Sequence, residues 1–241
     1  MVKKSDLKRL NSIMQEGNEF KNLKEYNRAI EKYLEALNFV EERVKEPEER
    51  VDETTNIKSQ IDQIYSVEII DIIETARNFV DKGDFNSAFN TFDEVMRIAD
   101  KIVDKDMRDY ELNQINYLIN KTKIEESLFQ GLAVKERKEF DKAISMLRDT
   151  LNGAKEFYME DLEEEMIKKI ENSINETYSL KVNILVEKGS GLRESENLDG
   201  ALEAYKNALK LVDNYFESEL KETDKTNLES LSNHIYTNKI K

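Results

Sequence analysis

Residues 17–37 read GNEFKNLKEYNRAIEKYLEAL, and the spacing of Gly17, Phe20, Tyr26, Ala29, Tyr33 and Ala36 within them decides the fold. The segment has three counterparts in the same chain when four alanines are aligned: Ala29, Ala88, Ala143 and Ala201. Three residues before the alanine stand Tyr26, Phe85, Phe140 and Leu198, and one after it Ile30, Phe89, Ile144 and Leu202. Four after it stand Tyr33, Phe92, Leu147 and Tyr205, and eight after it Leu37, Met96, Leu151 and Leu209. Apolar recurrence at i, i+3, i+4 and i+7 marks one face of an amphipathic helix, and the shared phase marks an internal repeat.

A second helix precedes each of these. Twelve residues before the alanine is a small residue, Gly17, Ala76, Gly131 or Gly189. Nine before it are Phe20, Phe79, Val134 and Leu192, and sixteen before it Ile13, Ile72, Ser127 and Leu185. Glycine inside a helix costs about 1 kcal/mol relative to alanine, so its placement predicts a site where another helix approaches closely. Short polar breaks separate the two helices: Leu23-Lys24-Glu25, Lys82-Gly83-Asp84, Arg137-Lys138-Glu139 and residues 194–197. Each unit therefore reads as an antiparallel helix pair, with Tyr26, Phe85 or Phe140 filling the corner.

The order large apolar, small, aromatic, aromatic after the turn, alanine, aromatic, small resembles the tetratricopeptide repeat. Ile13, Gly17, Phe20, Tyr26, Ala29, Tyr33 and Ala36 match it, as do Ile72, Ala76, Phe79, Phe85, Ala88, Phe92 and Val95. The fourth copy, Leu185, Gly189, Leu192, Leu198, Ala201, Tyr205 and Ala208, is aliphatic where rings are expected, and the third departs at Ser127 and Thr150. The resemblance implies an all-α, right-handed superhelical solenoid of four antiparallel helix pairs. It also implies a concave groove lined by the first helix of each pair.

The alanines lie 59, 55 and 58 residues apart, against about 34 in that family. The surplus falls between pairs, where Val40, Val44, Val51, Ile57, Ile61 and Ile64, and then Ile98, Ile102, Met107, Leu112, Ile115 and Leu118, keep an apolar pattern. Pro47 is a clear stop, and Gly153 and the run 160–165 weaker ones. The pattern predicts both flanking helices lengthened by roughly three turns, projecting as paired arms. One continuous domain, residues 1–241, is expected, with units over 5–46, 55–104, 108–158 and 162–217. A polar-faced capping helix is expected over 222–239, started by Thr226 and carrying Leu228, Leu231 and Ile235 inward.

Of 241 residues, 37% are charged, seven are Gly and one is Pro, a composition suited to helix throughout. The net charge of −14 opposes nucleic-acid binding. No apolar run is long enough to span a membrane, MVKKSDLKRL lacks a signal-peptide core, and a cytoplasmic protein is expected. The acceptor patterns at Asn120 and Asn175 are then chance matches. Cysteine is absent and the one histidine, His234, has no ligand-spaced partner, so neither metal site nor cofactor is expected. Gly189-Ser190-Gly191 lacks the strand and third glycine of a phosphate loop. No nucleophile–histidine–carboxylate set or Glu-x-x-His pair occurs, and the reading is not an enzyme.

One face of each first helix then carries the functional reading. It comprises Asn11, Met14, Asn18 and Lys21; Ile70, Ile73, Arg77 and Val80; Glu125, Leu128, Leu132 and Lys135; and Asn183, Val186, Ser190 and Arg193. Four of its five charges are basic in an acidic chain. The expected role is a protein-interaction module or adaptor whose groove takes a peptide segment or partner helix with acidic and apolar side chains. The alternative for the cations is pairing with the adjacent Asp81, Glu136 and Glu194. Asn18 matches one element of that family's chaperone-tail clamp, but Met14 stands where its first Lys belongs, so no chaperone partner is inferred. Two rival roles are a scaffold that self-assembles through its projecting arms and a regulatory subunit that senses a peptide.

Overall fold

The turn inside each pair is built the same way four times. The amide of Glu25 donates to the carbonyl of Phe20, Asp84 to Phe79, Glu139 to Val134 and Asn197 to Leu192. One residue earlier, Lys24 donates to Lys21, Gly83 to Val80, Lys138 to Lys135 and Glu196 to Arg193. This paired closure is a Schellman motif, which needs one residue in the left-handed region. That residue is Lys24 (φ 59°), Gly83 (73°), Lys138 (62°) or Glu196 (62°). The residue that ends one helix also opens the next: Asp84 accepts the Ser87 amide and Asn197 the Gly200 amide.

The structure, a computed structural model, describes residues 4–157 and 164–240. Among the described residues it is all-α, with nine helices: α1 (Lys4–Asn22), α2 (Tyr26–Arg43), α3 (Pro47–Asp81), α4 (Phe85–Ala99), α5 (Lys105–Glu136), α6 (Phe140–Phe157), α7 (Glu164–Glu194), α8 (Leu198–Val212) and α9 (Glu219–Ile240). Successive helices pack on one another in pairs. The small residues lie where the second helix presses in. A Cβ on Gly17 would stand 2.7 Å from the Tyr33 ring, one on Gly131 2.8 Å from Leu147, and one on Gly189 2.4 Å from the Tyr205 ring.

The surplus length is not shared between the two flanking helices, and this corrects the expected paired arms. The long helices α3, α5 and α7 have 35, 32 and 31 residues, whereas α2, α4, α6 and α8 have 18, 15, 18 and 15. Among them, α2 and α4 stop early because strong start signals follow them. Pro47 sits at the first position of α3, where its missing N–H is not needed. Asp104 accepts the Met107 amide and opens α5. Gly153 is no break, since α6 runs through it. The run 160–165 and the expected limits at 158 and 162 lie wholly or partly outside the described residues. The last helix starts before Thr226, at Glu219, with Ser218 accepting the Lys221 amide. Leu228 and Ile235 are buried on it, as expected.

By its contacts the chain divides into two compact units, 1–122 and 123–241, whose boundary falls inside α5. The first unit holds two cores. Ile57, Ile61 and Ile64 of α3 close the core of α1 and α2, and Ile69 and Ala76 of the same helix belong to the core of α4. The added length of α3 is thus the third wall of the preceding pair. The second unit has one core, running from Ile124 and Leu128 of α5 through Leu147, Ile174 and Tyr205 to Ile235 of α9.

The two units repeat each other at an offset of 113–114 residues (Ala29 with Ala143, Ala88 with Ala201). Asp62 and Asn175 occupy matching positions in α3 and α7, and both are buried. The Asp62 carboxylate accepts the Val103 and Asp104 amides at 2.9 and 3.0 Å. The Asn175 amide accepts from Phe216 N at 2.8 Å and donates to Phe216 O and Ser218 Oγ at 3.1 and 3.0 Å. Val103 and Phe216 also match across the offset. Each side chain clamps the chain as it leaves a second helix.

Candidate interaction faces

In the first unit the expected groove residues lie on α1 and α3. Ile70 is 63% exposed and Val67, one turn earlier, 39%; Glu74 and Arg77 continue the same stripe, both exposed. Ile73 and Val80 are half-buried at its edge. Two exposed β-branched side chains on a rigid helix form an apolar strip with a cation at one end. On α1, Asn18 is exposed and Lys21 half-buried.

The hairpin turn after α1 is fastened to the middle of α3. Lys24 Nζ lies 2.9 Å from Asp71 Oδ1, and the Tyr26 hydroxyl donates to Asp71 Oδ2. Burial first, and then the Asp71 carboxylate, pushes the Tyr26 phenol up to about 12. The Tyr26 hydrogen bond and then Lys24 hold the Asp71 carboxyl below its ordinary range. Asp71 adjoins Ile70 in sequence, so the fastening sets the position of the exposed strip.

In the second unit the expected residues separate. Leu128 is 3% exposed and packs into the core, so it offers no surface to a ligand. Leu132, Val186 and Arg193 are half-buried. Lys135 pairs with Glu176 of α7 at 3.2 Å rather than with the adjacent Glu136, because the two side chains meet across α5 and α7. Among the described residues Lys21, Arg77 and Arg193 form no ion pair, and none pairs with its sequence neighbour. Leu180 and Ile184 of α7, 41% and 52% exposed, are the exposed large aliphatic side chains among the described residues of this unit, beside the rings of Phe129 and Tyr236. Leu180 walls a cleft of about 510 Å³ together with Lys135, Lys138, Phe140 and Leu220.

Sequence reading overlooked Val67, Leu180 and Ile184. Val67 and Leu180 were within reach, each standing one helical turn before a counted residue, Ile70 and Asn183; Ile184 falls outside the face counted from the alanine. His234 is exposed on α9. Among the described residues no group of three or more carboxylates and histidines is placed to hold a metal ion. No helix among them is long and apolar enough to cross a membrane. Compared with known proteins, the chain matches no family model, no curated protein and no solved structure at a significant level.

Proposed function

We propose that this chain is a tetratricopeptide-like helical array that works as a protein-interaction module, binding a short acidic and apolar peptide segment or partner helix on the exposed face of its first helices. The reading is carried by the strip on α3, where Ile70 and Val67 stand exposed one turn apart on a helix that also serves two cores. Covering Ile70 would remove apolar surface from water and contribute about 1.5–3 kcal/mol. Arg77 would steer an acidic side chain and set the register. The repeated Schellman turns and the small-residue contacts with Tyr33, Leu147 and Tyr205 support the repeat assignment. Leu128 drops out of the binding set, and the scaffold reading loses its projecting arms.

The test is a selection of displayed peptides on the full chain. Peptides with apolar and acidic residues should be enriched, and Ile70→Ser should weaken them about tenfold or more. Arg77→Glu should slow association and flatten its salt dependence. Selected peptides that bind both variants as tightly as the parent would refute the assignment.

A further inference from the structure

The third helix pair departs from the repeat at three places, and the structure has a cleft there. Sixteen residues before the aligned alanine, the other pairs carry Ile13, Ile72 and Leu185, each packed in its core. The third carries Ser127, which is exposed. Ten residues after the alanine, the others carry Phe39, Ile98 and Leu211, again packed in their cores. The third carries Gly153, with nothing within 4 Å of the place its Cβ would occupy. Seven residues after the alanine, where Ala36, Val95 and Ala208 stand elsewhere, is Thr150, whose hydroxyl is turned back onto the Met146 carbonyl at 2.9 Å. Two large apolar side chains are therefore missing from one spot between α5 and α6. The space they leave is a cleft of about 330 Å³, lined by Ser127, Thr150, Gly153, Ile124 and Met146, with Lys123 and Asp149 among its polar walls.

The geometry points to this cleft as a docking pocket for one leucine- or phenylalanine-sized side chain of a linear partner peptide. The occupant follows from the sister repeats. At the same positions in the same backbone, they complete the packing with Ile or Leu from the first helix and Phe, Ile or Leu from the second. An incoming side chain of that class would meet Ile124 and Met146 as theirs meet their own cores. Lys123 on α5 and Asp149 on α6 would flank the peptide with opposite charges, favouring an acidic residue on one side of the anchor and a basic one on the other. The volume lies at the lower end of the roughly 300–1,000 Å³ of small-ligand sites, which suits a single side chain. This pocket lies inside a helix pair and is separate from the exposed strip on α3, so the two proposals fail independently.

The probes are N-acetyl-leucinamide and N-acetyl-phenylalaninamide, with N-acetyl-glycinamide as control, titrated into the full chain and followed by the methyl resonance of Met146. The first two should give saturable shifts at about millimolar concentration, and the glycine compound none. Gly153→Leu and Ser127→Ile, made singly and together, refill the space as the sister repeats do. Each should weaken the response at least about tenfold while melting temperature holds or rises. The two single changes lie on different helices, so failure of one to fold leaves the other to decide. No saturable shift in the parent, an equal shift with the glycine compound, or an undiminished response in a folded, refilled variant overturns the proposal.

Discussion

Gly189 and Gly191 sit two residues apart in α7, and a methyl group at each should act in opposite directions. Alanine is favoured over glycine in a helix by about 1 kcal/mol. At Gly191 nothing lies within 4 Å of the new Cβ, so Gly191→Ala should raise stability by about that amount. At Gly189 the Cβ would stand 2.4 and 2.8 Å from two atoms of the buried Tyr205 ring, which cannot yield as a flexible chain end could. Gly189→Ala should therefore lower stability by about 1–3 kcal/mol. Paired thermal melts decide it, and equal shifts would remove the close-approach argument. Tyr26 gives a second test through its pKa. Its folded value, about 12, lies above the ordinary 10.0. The folded state holds that proton more tightly, so the contribution is complete below pH 10 and lost as pH rises towards about 12. Asp71 has the opposite sign: its lowered pKa stabilises above the ordinary 3.8, and that contribution fades as pH falls through the folded value. Phenolate absorbance of the parent and Tyr26→Phe should differ by one group titrating near 12. A lost group titrating near 10 would mean that the Asp71 contact is absent in solution.

The long helices raise a question at the level of elements: what stops a second helix and turns the chain into the next first helix? In each unit one buried polar side chain does this, Asp62 on α3 and Asn175 on α7. Their chemistry differs in a testable way. Asp62 only accepts, from two amides, so Asp62→Asn keeps one good acceptor, while Asp62→Ala leaves both amides without it and should cost about 2–3 kcal/mol. Asn175 both accepts from and donates to Phe216, so Asn175→Asp sets a carboxylate against a carbonyl and should be worse than Asp62→Asn. Amide exchange at the start of α5 should quicken in Asp62→Ala ahead of the interior of α3. Unchanged exchange there would show that the Asp104 cap alone holds the turn. Neither residue stands out in the sequence, since each has polar neighbours, Ile61-Asp62-Gln63-Ile64 and Ile174-Asn175-Glu176-Thr177. Their function was not visible, because it depends on backbone some 41 residues further along.

For the molecule as a whole, the net charge of −14 sets a background of self-repulsion. Most ion pairs, such as Lys155–Glu171 and Lys168–Glu164, involve exposed groups and add little. Raising salt from about 0.01 M to about 1 M shortens the screening length from about 30 Å to about 3 Å, and the melting temperature should rise. A fall would mean that the ion pairs outweigh the repulsion. The helix pairs, their turn positions and the close-packed small residues were legible in the sequence because each rests on local rules. Helical periodicity places the apolar face, a short polar break places the turn, and a glycine at a core-facing position marks contact. Tertiary structure alone decided which flanking helix took the surplus length, because that depends on where Ile57, Ile61 and Ile64 find a core. It alone buried Leu128 in the core of the second unit, where its repeat counterpart Ile73 stays half-buried. It alone showed Ser127 and Gly153 opening one cleft, since residues 26 positions apart share a site only when two helices fold back on each other. Periodicity determines which side of a helix is apolar; only packing determines what, if anything, lies against it.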